Sequence, residues 1–161
     1  MSASNAINNP AIHTTENGLT ITRIFDAPRD LVFAAWTEQQ HLDRWQNAPQ
    51  GFTVTVEKSD IRTGGSFRIC MRSTDGAEHW LQGEYREVAP PERLVFTHTW
   101  LGADGKPGDE TLVTITFAER NGKTELTLLH SGFKSKEQSQ GHAHGWTSTL
   151  DRLAQYLSEL K

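Results

Sequence analysis

Gly83–Trp100 reads GEYREVAPPERLVFTHTW: two extended segments, Gly83–Val88 and Arg93–Trp100, joined at Ala89-Pro90-Pro91-Glu92. Adjacent prolines cannot donate to a sheet ladder, and a residue before proline is pushed to extended geometry, so the chain turns there. In the second segment a period of two puts Leu94, Phe96, His98 and Trp100 on one face. Val95, Thr97, Thr99 and Leu101 fall on the other. The pair is an antiparallel hairpin with one bulky aromatic face, and that face needs a broad apolar cover.

The end of the chain supplies the cover. After about Ser135 the period changes: Trp146, Leu150, Leu153 and Leu157 recur at i, i+4, i+7 and i+11, the stripe of a long amphipathic helix reaching about Leu160. Ser135 and Gln138 have capping-box spacing. Gly141 and Gly145 weaken the first half by about 1 kcal/mol each relative to alanine. They either allow a close approach or leave that half frayed. Trp146, on the stripe, is expected to be a buried anchor.

Outward from the hairpin the period stays at two. Upstream, Phe52–Asp60 carries Phe52, Val54 and Val56 on one face, and Ser66–Ser73 carries Phe67, Ile69 and Met71. Turns fall at Thr63-Gly64-Gly65 and Asp75-Gly76. Downstream, residues 102–108 form a glycine-rich loop before a strand Thr111–Glu119 with Val113, Ile115 and Phe117 together. Asn121-Gly122 turns into Thr124–Ser131, with Leu126, Leu128 and His130 on one face. Near the start, Leu19–Asp26 alternates as a strand. Pro28 then opens a short helix, Arg29–Thr37, whose buried face is Leu31, Val32, Ala35 and Trp36. A second, Glu38–Trp45, turns Leu42 and Trp45 inward and ends at Ala48-Pro49-Gln50-Gly51.

Strands in a run followed by one helix define an α+β fold with the helix on one face of an antiparallel sheet. About seven strands curve around the C-terminal helix, and two short helices follow the first strand. Residues 18–161 are expected to form one domain and 1–17, rich in Ser, Asn and Thr, a flexible tail.

Composition narrows the classes. The 161 residues carry a net charge of −4 with no basic run, which argues against a nucleic-acid partner. No apolar stretch is long enough to span a membrane, and Met1–Asn17 lacks the basic start and apolar centre of a secretory signal. With Cys70 as the one cysteine no internal disulfide can form, which fits a cytoplasmic location.

A single helix covers part of a curled sheet, and the uncovered part either becomes a cavity or fills as ordinary core. The cavity, placed beside the Gly141–Gly145 half of the helix, would put Trp80, Phe96, His98, Trp100 and Trp146 against a ligand. Phe67, Ile69, Met71 and Leu150 complete its expected wall.

Little else suggests chemistry. No phosphate loop, dinucleotide fingerprint or zinc-protease motif occurs, so no catalytic residues, metal or cofactor are expected. His142 and His144 form an HxH pair, but on a helix two residues apart point about 200° from each other and share a metal only if the helix breaks there, at Gly141 or Gly145. His98 and His130 lie beside apolar residues on strand faces. Such histidines are commonly hydrogen-bonded core, though one facing a cavity could orient a polar ligand group or act as acid or base. Arg23, Arg62 and Glu84 are expected to pair with one another.

Taken in order, several pieces resemble the START-like, or SRPBCC, helix-grip superfamily. Within it they look like the branch related to the C-terminal domain of the activator of Hsp90 ATPase. They are Arg23–Pro28 (RIFDAP) leading into Val32–Trp36, Leu42–Trp45 (LDRW), Asp60–Gly65 (DIRTGG), Gly83–Thr97, Thr124–Phe133 (TELTLLHSGF) and Gly145-Trp146. The resemblance implies the helix-grip fold and, often, an apolar small molecule or lipid in the cavity, with no fixed catalytic set. Members include binders, cyclases and chaperone partners, so three functions follow as expectations. The first is non-catalytic binding of a hydrophobic small molecule. The second is a chaperone interaction of the stress-response kind, although that cochaperone relies on a second, N-terminal domain without a counterpart here. The third is a cyclase- or hydrolase-like enzyme. A homodimer is compatible with each.

Overall fold

The computed structural model describes residues 10–161. Its chain order is β1 (Ala11–Thr14), β2 (Gly18–Phe25), α1 (Arg29–Thr37), α2 (Gln39–Trp45), β3 (Thr53–Ser59), β4 (Ser66–Arg72), β5 (Glu78–Ala89), β6 (Arg93–Leu101), β7 (Pro107–Arg120), β8 (Lys123–Ser131) and α3 (Lys136–Glu159). All strands join one antiparallel sheet in the order β1-β2-β8-β7-β6-β5-β4-β3. This is the expected α+β architecture with eight strands rather than seven. The additional strand, β1, lies in the stretch expected to be tail: Ala11–Thr14 pairs with Leu19–Thr22. Its short AIHT run gave too little alternation to register as a strand. The rest of the expected tail, residues 1–9, lies outside the described residues.

The opening hairpin is β5–β6. Its turn closes with Glu92 N–H donating to Ala89 O at 2.8 Å, and the Pro90–Pro91 bond is cis. Gly83 is obligatory where β5 passes close to β6 and the Phe67 ring. A Cβ there would stand 2.0 Å from Thr97 O and 2.6 Å from the Phe67 ring, closer than atoms approach. The Thr97 hydroxyl meanwhile accepts the Glu84 N–H, so the irregular ladder loses no donor. Between β6 and β7 the loop is shorter than expected. Gly105, at φ +80°, makes a tight turn that donates to Gly102 O, and Pro107 already pairs with Leu101.

The helix α3 begins at its expected cap: Ser135 Oγ accepts from Gln138 N–H at 3.2 Å. The second leg of the box lands one residue early, Gln138 Oε1 accepting from Lys134 N–H. Gly141 and Gly145 do not interrupt the helix.

The core is concentrated at one end. Leu19 and Ile21 of β2, Val113, Ile115 and Phe117 of β7, and Leu126 and Leu128 of β8 are buried against Leu150, Leu153 and Leu157 of α3 and Val32 and Phe33 of α1. Phe33 meets Phe117 edge-on at 5.1 Å. The helix backbones lie chiefly against β1, β2, β7 and β8. That leaves the inner face of β3–β6 for side chains alone to cover.

Candidate functional site

The uncovered face of β3–β6 borders a cavity of about 480 Å³. Its floor is Phe67, Ile69 and Met71 of β4, Leu81 and Tyr85 of β5, and Leu94, Phe96, His98 and Trp100 of β6. Val54 and Val56 of β3 close the far side. Trp36, Gln39, Leu42 and the Gln46–Phe52 connection form a helical wall, and Gly141, His142, Gly145, Trp146 and Thr149 of α3 form the rim. A Cβ on Gly141 would meet nothing within 4 Å, and one on Gly145 only Pro49 at 3.8 Å. The glycines therefore leave space; they do not permit a close approach.

The connection after α2 is held down deliberately. Gln46 is left-handed at φ 73°, an uncommon conformation for a glutamine, and both ends of its amide are used. Nε2 donates to Asp43 O and Oε1 accepts from Val54 N–H. From α3, Arg152 donates to three carbonyls, Ala48, Pro49 and Phe52, at 2.9–3.2 Å. Ser148 Oγ accepts from Gln50 N–H. Seven residues without regular structure thereby become a fixed wall.

At the closed end three histidines converge. Ring centroids of His98 and His130 are 4.7 Å apart, His130 and His142 5.3 Å, and His98 and His142 5.9 Å. Trp146 Nε1 donates to His130 Nδ1 at 3.0 Å, which makes that nitrogen an acceptor. Its Nε2–H then donates to Thr111 Oγ1 at 2.7 Å, and the Thr111 hydroxyl donates to His98 O. Likewise Trp100 Nε1 donates to His142 Nε2, whose Nδ1–H donates to Gln138 O. Every nitrogen of both rings is thus engaged in a hydrogen bond. Among the described residues no group of three or more His, Cys, Asp or Glu is placed to hold a metal.

His98 differs. It is 5% exposed, lines the cavity, and its Nδ1 is buried without a partner. Burial, and then the neighbouring His142, push its pKa down to about 3. His130 is driven far below the ordinary imidazole value by burial, then by His98 and His142. Burial also raises the Tyr85 phenol.

Of the residues expected in the wall, Phe67, Ile69, Met71, Phe96, His98, Trp100 and Trp146 lie together. Trp80 and Leu150 do not. Leu81 and Tyr85 face inward, so alternation turns Trp80 to the opposite side of the sheet, where its ring lies 5.3 Å from the Arg68 guanidinium carbon. Leu150 is fully buried in the packed end. Trp146 is partly exposed on the cavity, not a buried anchor. His142 faces inward while His144 is exposed. Arg23 pairs with Asp151 at 2.5 Å and Arg62 with Asp60 at 3.0 Å; neither pairs with Glu84 as expected. Trp36, Gln39 and Asn47 also belong to the wall, beyond the residues expected from the sequence.

A curved antiparallel sheet closed around a long C-terminal helix, with one end packed and the other hollow, defines a helix-grip protein. The chain belongs to the family described as Activator of Hsp90 ATPase homolog 1-like protein, whose model matches residues 26–158. It is similar to the human protein "Activator of 90 kDa heat shock protein ATPase homolog 1", 24% identical over 128 residues. That match covers 80% of this chain and 33% of the human protein, so the chain spans about a third of that relative. Among solved structures, the AHSA1 protein from Silicibacter pomeroyi is 28% identical with a TM-score of 0.81, covering 89% of this chain and 99% of that one. A protein from Arthrobacter aurescens, 24% identical, shares the fold at a TM-score of 0.82 over 92% of this chain and 91% of its own.

Proposed function

We propose that this chain is a non-catalytic binding protein for an apolar small molecule or lipid held between β3–β6 and the first half of α3. The observation that carries the proposal is the cavity of about 480 Å³ at the helix-free end of the sheet, floored by apolar side chains and bordered by two helical glycines. Its size falls within the ~300–1,000 Å³ of small-molecule sites. Each Å² of apolar ligand surface removed from water contributes ~25 cal/mol before association costs. The unpaired Cys70 is consistent with a cytoplasmic location.

Native mass spectrometry of the purified protein, followed by a thermal-shift screen of neutral polycyclic aromatics and lipids, tests the proposal. A ligand of the folded state raises Tm. Gly145→Leu fills the cavity and is expected to weaken binding more than stability. A co-purified or added ligand that leaves Tm unchanged in every class would sink the proposal.

A second reading rests on the family match. The human relative's name describes an activator of the 90 kDa heat shock protein's ATPase, so this chain would act as a chaperone partner. Measuring ATP hydrolysis by that chaperone with and without this protein separates the two, because a cavity binder leaves the rate unchanged.

A further inference from the structure

We infer that the cavity selects an uncharged ligand that carries a hydrogen-bonding group on its apolar skeleton, and rejects carboxylate amphiphiles such as fatty-acid anions; this rests on the binding proposal above. Two observations carry it. The first is charge. Among the described residues no lysine or arginine lines the cavity; its one carboxylate is Asp43, and its imidazoles are those of His79, His98 and His142. An anion entering there would lose its water without a counter-ion and would face a like charge.

The second is unfinished hydrogen bonding. Four buried polar atoms of wall side chains lack a hydrogen-bond partner among the described residues: Trp36 Nε1, Gln39 Oε1, Asn47 Oδ1 and His98 Nδ1. Native proteins rarely leave such atoms unpaired, so their concentration around one space points to an occupant that pairs with them. They stand on opposite sides. Trp36, Gln39 and Asn47 belong to the helical wall and His98 to the sheet. Trp36 is 2% exposed and offers a donor; His98, 5% exposed, offers a neutral ring that can donate at one nitrogen and accept at the other. A hydroxyl does both in return. His130 and His142 are not available for this, since Thr111, Trp146, Trp100 and Gln138 already occupy their nitrogens.

Pyrene, 1-hydroxypyrene and pyrene-1-carboxylate share one skeleton and differ only in the group at issue. Their binding to the full chain at pH 7 is followed by pyrene fluorescence and by thermal shift. The expected order is 1-hydroxypyrene tightest, pyrene weaker by up to about tenfold, and pyrene-1-carboxylate weaker still. His98→Phe should bring the affinities for pyrene and 1-hydroxypyrene together. Trp36→Phe, which removes the indole N–H together with part of the ring, should narrow the same gap if the first variant does not fold. Asn47→Lys should raise carboxylate affinity relative to the other two. If the carboxylate binds as tightly as 1-hydroxypyrene, or the hydroxyl gives no advantage over pyrene, the inference falls while the binding proposal stands. If none of the three binds and the lipids of the thermal-shift screen also leave Tm unchanged, both fall.

Discussion

The two halves of α3 share one helix and do opposite work. From Leu150 to Leu157 the inward residues are Leu150, Leu153, Tyr156 and Leu157, all buried and packed against β2, β8 and α1. From Gln138 to Trp146 only Ser139 and Ala143 are buried, while Gln138, Gly141, His142, Gly145 and a partly exposed Trp146 border the cavity. The difference follows from sheet curvature. The helix lies close against β1 and β2 but stands off the far strands, so one end is closed by apolar contact and the other is left to polar side chains. Stability therefore resides mainly in the second half, and the proposed ligand site adjoins the first.

Truncation on the two walls should show the division most strongly. Leu153 is fully buried, so Leu153→Ala is expected to cost about 2–5 kcal/mol. Met71 borders space that is already empty, and Met71→Ala should cost under about 1 kcal/mol. Urea unfolding of both variants measures the difference directly. Equal midpoints would mean that the cavity end is packed as tightly as the core and that the comparison is false.

The packed half is also the half that was legible in the sequence. The stripe Leu150, Leu153, Leu157 and the alternations Val113-Ile115-Phe117 and Leu126-Leu128 depend on period alone, and period survives folding. The cavity depends on what is missing, and absence has no period. Gly141 and Gly145 hinted at it, but the same spacing would serve a close helix contact. Trp80 was misplaced because its bulk suggested a pocket, whereas its register across from Cys70 turns it outward. Gln39 and Asn47 come to the wall through a connection fixed by Arg152, more than a hundred residues away in sequence from Ala48. No local pattern announces that bond.

Within the hollow half, the hydrogen bond from Trp146 to His130 is the contact most expensive to break. Trp146→Phe keeps much of the ring but leaves His130 Nδ1 buried without a donor. The expected loss is about 1–3 kcal/mol. A Trp146→Phe protein as stable as the parent would show that water replaces the indole and that this end of the cavity is wetter than its burial implies.

The buried histidines add a pH dependence that the packed half lacks. His98 and His130 have folded-state pKa values well below the ordinary ~6.5 of an unfolded imidazole. Besides burial, His142 lowers His98, and His98 and His142 lower His130. Below about pH 6.5 the unfolded chain takes up protons that the native state refuses, so stability falls as pH falls, toward about 3 for His98. Each ring contributes a slope of up to ~1.4 kcal/mol per pH unit in that window. Urea melts at pH 7, 6 and 5 should show the parent losing stability faster than His98→Gln. Parallel losses would mean that His98 titrates normally and is not sealed.

The smallest expected effect is also the most direct probe of the hollow half. Gly141 sits inside a continuous helix, where glycine costs about 1 kcal/mol relative to alanine, and a methyl added there meets nothing within 4 Å. Gly141→Ala should therefore stabilise the chain by about 0.5–1 kcal/mol, through helix propensity and a less flexible unfolded state. At this size that is a rise in Tm of a few degrees at most, roughly 2–4 °C per kcal/mol. The contrasting control is Gly132, at φ +104° with Thr111 Cα 3.3 Å from the added methyl, where the same change must destabilise. Gly141→Leu separates the two roles of the position. Its side chain extends into the cavity, so it should keep much of the helix gain while ligand binding falls. If Gly141→Ala instead lowers Tm, the first half of α3 is closer to the sheet than the cavity allows, and the two halves of the helix are not different in kind.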